Sequence, residues 1–464
     1  TYLNVFEMKN SIANVNPLYR VTFCSTPSGL DIFTVIDNSF QLKIGLNECS
    51  FRKHLSWKRK KNYKQWADKR VGDVYRLIPK LNIKKFMINL NKNKRWSWSM
   101  LLEFLADATG QMDKQIVDVM LASYLPLPLK AHTTWQGVNN HSILITQSRV
   151  GKSVSYQNLA GHVPATSYSV PGLFGSILKD NVVNEGEFKG SGVYAFDEFP
   201  RISEQKQAFR GSLDIMGDIL TYMNVGENLR SMSIPLKCVG TKCIHFYGNI
   251  PYEWSMQSFH KMLIRLSGQD GSDAAGTRIG HILYGHYNEI SIVDAVPKWI
   301  KDRLRYVLET AVMDKRKQIS VLLLMAKKWI LIRDKEYEDF FKKVRARAEH
   351  KNVEKFLKGF KGSWKRVKMG AVKYTILMNL DKLYKMSPKD LYVLIKPEIA
   401  INYEKFKTYN YRSFEFLFTN KKAKALEMIE QGDSYEKAVM QGVDVSRPVY
   451  YRWKYVLEHK KEEE

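Results

Sequence analysis

Acidic side chains are in deficit in this chain. Its 464 residues carry 73 Lys and Arg against 47 Asp and Glu, a formal net charge of +26. That imbalance points to a polyanionic partner, with nucleic acid as the first expectation and an anionic membrane surface as the alternative. Long apolar runs are missing as well. Ile116–Leu129 is broken by prolines and Ile319–Ile332 by Lys327 and Lys328, so neither reaches the ~18 residues of a membrane span. Cysteine is sparse. Cys24, Cys49, Cys238 and Cys243 show no metal-type spacing, the N-terminal region has no zinc motif, and reduced, buried thiols in an intracellular protein are expected. A leader pattern, internal repeats and low-complexity segments are lacking too. With Thr1 at its start, the chain reads as processed or as beginning partway through a longer product. A hydrophobic content of 44% excludes a disordered tail, and the length suggests two to four domains.

Two short motifs stand out. Ile143-Leu144-Ile145-Thr146-Gln147-Ser148-Arg149-Val150-Gly151-Lys152-Ser153 is an apolar run, a polar turn and Gly-Lys-Ser. That order sets backbone N–H groups and a lysine around the phosphates of a nucleotide. Val193-Tyr194-Ala195-Phe196-Asp197-Glu198 is a second apolar run closing on two carboxylates, suited to holding Mg²⁺ and activating a water. Either motif alone has a bland reading, as a chance turn or a strand entering a solvated loop. Their order and the 45 residues between Lys152 and Asp197 fit a helix, an insertion and a return strand in a parallel α/β sheet. Thr146 occupies the place of the first glycine of the phosphate loop, so that turn is expected to run at negative φ or under strain. Arg149 is an unusual loop residue, placed to touch phosphate or a neighbouring subunit.

Residues 1 to about 95 read as a separate α+β domain, with strands over Arg20–Ser25, Leu30–Ile36 and Phe40–Ile44. Phe51–Arg70 then holds nine Lys and Arg with Trp57, Tyr63 and Trp66 against one acid, Asp68. It is either a surface for phosphates and stacked bases or an amphipathic helix with a solvated basic face. Residues 96 to 130 have helical periodicity (Trp98, Leu101, Leu102, Leu105, then Ile116, Val117, Met120, Leu121). Residues 297 to 345 read as long helices striped by Trp299, Leu304, Val307, Leu308 and Val312. A second basic stretch follows at Phe341–Gly370, then a helix at Ala371–Leu383. In the tail, helices are expected at Ala423–Gln431, Ser434–Gln441 and Arg447–His459, the last with Pro448 in its first turn. The segment Val445–Trp453 resembles the recognition helix of resolvase- and transposase-type helix-turn-helix modules. That resemblance implies DNA contacts from Arg447, Tyr450 and Arg452. The competing reading is a three-helix protein-interaction module with Tyr451 and Trp453 as its core.

The succession between and after the nucleotide motifs resembles the AAA+ core of minichromosome maintenance (MCM) helicases. It runs through Pro171–Asp180, Glu187–Gly192, Asp214–Asp218, Gly226–Lys237 and Cys243–Pro251, and covers about residues 140 to 285. The family has a hairpin before its Asp-Glu strand and another before a strand ending Ala-Asn-Pro, which here reads Gly248-Asn249-Ile250-Pro251. The resemblance implies an α/β AAA+ core, a parallel sheet flanked by helices, with an N-terminal α+β domain and a C-terminal helix-turn-helix or winged-helix module. The corresponding domains are 1–95, 96–290, 291–400 (helical lid) and 401–464. It also implies roles. Gly151 and Lys152 grip ATP, Ser153 and Asp197 hold Mg²⁺, Glu198 polarises the attacking water and Asn249 orients it. In isolation Asn249 reads equally as a turn residue before Pro251. Arg278 falls at the family's arginine-finger position, with Arg265 as rival and Arg366 as a candidate lid arginine. A finger acting on a neighbour implies an oligomer, a homo-hexameric ring around DNA, with Arg230 and Lys237 of the second hairpin in the channel.

The function expected is therefore an ATP-driven DNA helicase or translocase in replication of a virus, plasmid or integrated element, located in the cytoplasm of its host. An origin-binding initiator that uses ATP as an assembly switch is the alternative. A DNA-binding structural protein with a vestigial nucleotide site is the third reading.

Overall fold

The computed structural model describes residues 23–25, 31–33, 82–92, 97–108, 114–125, 138–146, 161–163, 176–177, 183–184, 192–196, 223, 227–231, 235–239, 242–249, 256–267, 272–285, 298–418, 421–440 and 447–463. Near the N-terminus, β1 (Phe23–Ser25) pairs antiparallel with β2 (Asp31–Phe33). The strand expected at Phe40–Ile44 and the basic–aromatic stretch at 51–70 lie outside the described residues.

The centre is a parallel sheet. Four strands, β3 (His141–Thr146), β7 (Gly192–Phe196), β10 (Lys242–Asn249) and β11 (Ile279–Gly285), are joined at one edge by the three-residue β4 (Gly161–Val163), in the order β11-β3-β10-β7-β4. All pairings are parallel. The strand sequences explain this. Ile143, Leu144, Ile145, Ile244, Phe246 and Tyr247 are 0% exposed, which needs cover on both faces, and near-continuous apolar runs mark parallel strands covered in this way. Two antiparallel hairpins interrupt the sheet's connections. One is β5 (Ser176–Ile177) with β6 (Val183–Asn184) before β7; the other is β8 (Glu227–Ser231) with β9 (Pro235–Val239) before β10.

Helices cover the sheet. The first three are α1 (Ile83–Lys92), α2 (Trp98–Ala108) and α3 (Lys114–Ser123). The periodic residues Trp98, Leu101, Leu102, Leu105, Ile116, Val117, Met120 and Leu121 are buried as their spacing requires. The Trp98 indole donates to the Leu377 carbonyl at 2.6 Å, tying α2 to a helix nearly 280 residues away in sequence. After β10 come α4 (Met256–Ser267) and α5 (Ser272–Arg278). After β11 come α6 (Lys298–Asp314), α7 (Arg316–Leu331), α8 (Lys335–Ala346), α9 (Lys351–Phe360), a 3₁₀ turn at Lys361–Ser363, α10 (Trp364–Met378), a 3₁₀ turn at Leu380–Tyr384 and α11 (Pro388–Phe418). Every residue of α10 from Arg366 to Leu377 is buried, so it is a central helix lying among α3, α11 and β11.

Two expectations about organisation change. A single apolar cluster runs from Phe86 to Leu417, so the helices beyond 298 share their core with the sheet. The boundary expected at 400 falls inside α11, which runs unbroken through Pro397. Pro397 and Val393 both sit on an exposed face, where water can take the carbonyl that the proline leaves without an amide donor. The tail forms its own small core from α12 (Lys421–Glu430), α13 (Tyr435–Met440) and α14 (Arg447–Glu463). It is built on Ala425, Met428, Ile429, Ala438 and Tyr450. No helix among the described residues is long and apolar enough to cross a membrane.

Candidate active site

Parallel strands deliver all their carboxyl ends to one edge of a sheet, and open α/β sheets bind ligands there. In this sheet β10 lies between β3 and β7. Asn249, the last residue of β10, is in register with Thr146, the last of β3, and Thr146 is also paired with Gly285 at the end of β11. Phe196, the last residue of β7, pairs with Phe246. Strands two apart are separated by ~10 Å. The chain therefore leaves β3 five residues before Gly151, and β7 one residue before Asp197, at the same edge; Phe196 is level with Phe246 and so with Ile143, three residues short of Thr146, which sets the two strand ends ~14 Å apart. Arg149, Gly151, Lys152, Ser153, Asp197 and Glu198 themselves lie outside the described residues.

Thr146 falls in the strand, before the turn, and of the two outcomes expected for it, negative φ or strain, extended backbone is the first. It is an extended strand residue paired on both sides, not a turn residue. No positive φ is needed there.

The opposite edge holds two of the predicted arginines. Arg278 ends α5 and immediately precedes β11, whose first residue Ile279 pairs with His141. Its Nη1 donates to the Ala274 carbonyl of its own helix at 2.8 Å, and partial burial lowers its pKa. Five residue steps of β3, about 17 Å, separate this amino edge from the carboxyl edge. Arg278 is thus remote from Thr146, where β3 ends. Arg265 lies within α4.

Arg366 is not a lid arginine in this fold. It is 1% exposed on α10, with Nε donating to Thr277 O at 2.9 Å and Nη1 to Asn139 O at 2.7 Å, both at the amino edge. Burial pulls its pKa down to about 9, with the neighbouring Arg278 charge adding to the effect. Its guanidinium serves to join α10 to the starts of β3 and β11.

Around it is a buried polar network that the motif reading did not find. Lys373, 1% exposed, donates to Asn139 Oδ1 at 2.8 Å and Asn140 Oδ1 at 3.3 Å, and burial lowers its pKa to about 8. The Cys243 thiol lies 3.2 Å from Ser123 Oγ, and burial pushes its pKa up. His245 bridges Ser142 Oγ (2.5 Å) and Ser123 Oγ (2.9 Å), while His141 Nδ1 accepts from Ile244 N at 3.0 Å. With Nδ1 accepting, the His141 proton sits on Nε2 and is donated to Met223 O at 3.1 Å. A faint signal was present in the sequence: Ser142 and His245 interrupt otherwise apolar strands, and they prove to be register partners. His281 on β11 is 0% exposed, and neither ring nitrogen has a hydrogen-bond partner among the described residues; the Phe406 ring stands edge-on to it at 5.4 Å. Among the described residues, no group of three or more His, Cys, Asp and Glu could hold a metal ion.

The nucleic-acid candidates divide. In the β8–β9 ribbon, position 230 pairs with Leu236 and position 237 with Leu229. Arg230 and Lys237 are therefore not register partners of each other. In the tail, Arg447 and Arg452 are exposed, Arg447 pairing with Glu436 at 3.2 Å. Tyr450 is a correction. It is 0% exposed, packs in the core of the three-helix unit and donates its hydroxyl to Asp433 O at 2.9 Å, so it has no surface to offer a base. Tyr451, an alternative core residue, is 42% exposed, while Trp453 packs against the core.

No family model matches the sequence, and no curated protein matches it.

Proposed function

We propose that the chain is a Mg²⁺-dependent ATPase that works on DNA, a ring-forming helicase or translocase resembling the MCM-type AAA+ motors. The observation that carries this reading is the register at the carboxyl edge: β10 separates β3 from β7, with Asn249 level with Thr146. That arrangement sets the ends of β3 and β7, after which the Gly-Lys-Ser and Asp-Glu segments follow, ~14 Å apart, with Asn249 on the strand between them. Lys152 would contact phosphate oxygens, and Ser153 and Asp197 would hold Mg²⁺, which supplies neutralising charge. Glu198 would take the attacking water's proton with Asn249 orienting that water. The position of Arg278 at the far edge supports action on a neighbour's nucleotide, and so assembly, for which a hexamer is the proposed form. The net charge of +26 supports a polyanionic track.

Phosphate release by Lys152→Ala and Glu198→Gln tests the site. Both variants are expected to lose hydrolysis, with Glu198→Gln still binding an ATP analogue. Wild-type turnover in both would remove the assignment.

One observation favours a second reading, an ATP-switched initiator. Residues 421–464 hold nine Lys and Arg and nine Asp and Glu, so the tail unit is electrically neutral. Neutral modules gain little from non-specific charge attraction, so DNA binding by this one would rest on base contacts. Strand displacement on forked DNA without sequence preference favours the motor. A sharp footprint without unwinding favours the initiator.

A further inference from the structure

The charge that the tail lacks is concentrated elsewhere. Between residues 351 and 368 the chain has seven Lys and Arg and one acid, Glu354. The fold sorts them. Arg366 and Lys368 are buried in α10, whereas Lys351, Lys358 and Lys361 are exposed and Lys355 is half-exposed. Spaced at i, i+4, i+7 and i+10, these four form one stripe along α9 and the 3₁₀ turn that extends it. The opposite face, Val353, Phe356, Leu357 and Phe360, is fully buried. The single acid is neutralised by Arg345, whose Nη2 lies 2.5 Å from Glu354 Oε1. Lys351 and Lys358 have no carboxylate partner among the described residues.

The stripe is rigidly mounted. A Cβ on Gly359 would lie 2.6 Å from Asp273 O, and one on Gly276 would lie 2.2 Å from Phe356 O, so α9 and α5 cross in backbone contact. Fixed cations spend less entropy on a rigid polyanion than lysines on a mobile loop.

We propose that the lysine stripe of α9 is a sequence-independent contact for the phosphate backbone of duplex DNA, separate from the nucleotide site. The proposal takes from the functional reading only the kind of partner. The stripe spans ~15 Å, over which a duplex displays about nine phosphate charges, ample for four lysines. A membrane fits less well. The described large apolar side chains that are exposed include none on α8, α9 or α10, so this surface has nothing to insert among lipid tails.

The test uses the full chain without ATP, so its outcome does not depend on the hydrolytic site. One variant carries Lys351→Glu, Lys355→Glu, Lys358→Glu and Lys361→Glu. A charge-matched control carries Lys317→Glu, Lys328→Glu, Lys389→Glu and Lys396→Glu, all at exposed positions outside the stripe. Fluorescence anisotropy with a labelled duplex is followed across salt concentrations, and a thermal melt checks the fold. The α9 variant should lose about tenfold or more in affinity, with a log K against log salt slope shallower by about four, while the control keeps the wild-type slope. Equal losses in both variants would mean that net charge alone is responsible and would overturn the site. So would wild-type binding by the α9 variant. Retained duplex binding with lost binding to polyglutamate would transfer the stripe to an acidic polypeptide and overturn the DNA assignment.

Discussion

Thr146 and Asn249, 103 residues apart in the chain, lie side by side in parallel register as the last residues of neighbouring strands. Because the strands are parallel, this pairing aligns the entry to the candidate phosphate loop with the amide residue proposed to orient water. Arg278 stands at the other end of the same sheet. Its separation from Thr146, about 17 Å along the sheet, favours action on a neighbour's nucleotide, and the ring reading is testable by mixing.

Lys152→Ala and Arg278→Ala should each abolish hydrolysis alone. Mixed in equal amounts and allowed to assemble, they should regain about a quarter of wild-type turnover, because that share of interfaces has an intact lysine facing an intact arginine. Phosphate release by the mixture is the readout, and no recovery would place the arginine's action elsewhere.

The α5–α9 crossing tolerates no side chain. Gly276→Ala directs its methyl at the Phe356 carbonyl, and Gly359→Ala at the Asp273 carbonyl. Each should cost at least about 3 kcal/mol in urea unfolding, since backbone cannot yield as a flexible side chain does. Gly362→Ala, whose added Cβ meets nothing within 4 Å, should be close to neutral.

Acid should unfold the core by way of its histidines. Burial holds His141 well below the usual imidazole range and takes His245 and His281 down to about 3. The unfolded chain takes up these three protons near pH 6.5 while the native state refuses them. Their contribution is thus intact above about pH 6.5 and is lost as the pH falls, by up to about 4 kcal/mol per unit. Lys373, lowered to about 8, acts in the same direction in a higher window, stability rising between about 8 and 10.4. Urea midpoints from pH 8 to 5 measure the slope, and His281→Leu should remove about a third of the acid-side slope.

The tail unit separates structure from recognition. Tyr450→Phe leaves the Asp433 carbonyl without its donor and should destabilise the three-helix unit by about 1 kcal/mol. Arg447→Ala and Arg452→Ala, at exposed positions, should leave its melting unchanged while weakening any sequence-specific footprint.

Much of this was legible in the chain. The helical stripes at Trp98–Leu105, Ile116–Leu121 and Leu304–Val312 are buried where their spacing places them, an antiparallel strand pair precedes each of β7 and β10, the second reaching two residues beyond the expected Gly226–Lys237, and the three tail helices match to within a few residues. Tyr450 was legible too. It shares a stripe with Trp453 and Leu457, whereas Tyr451 is turned ~100° away, so the periodicity assigns Tyr450 to the core where the recognition-helix resemblance implied a DNA contact.

What the sequence settled alone is local: which residues alternate or recur at helical spacing, hence which segments are strands or helices and which side of each is apolar. Tertiary structure decided the rest. It inserted β10 between β3 and β7, buried Arg366 and Lys373 against carbonyl and amide oxygens, and carried α11 through Pro397. Periodicity states that a face must be covered but carries no address for the segment that covers it. That choice depends on the packing of pieces hundreds of residues apart, as the hydrogen bond from Trp98 to Leu377 shows.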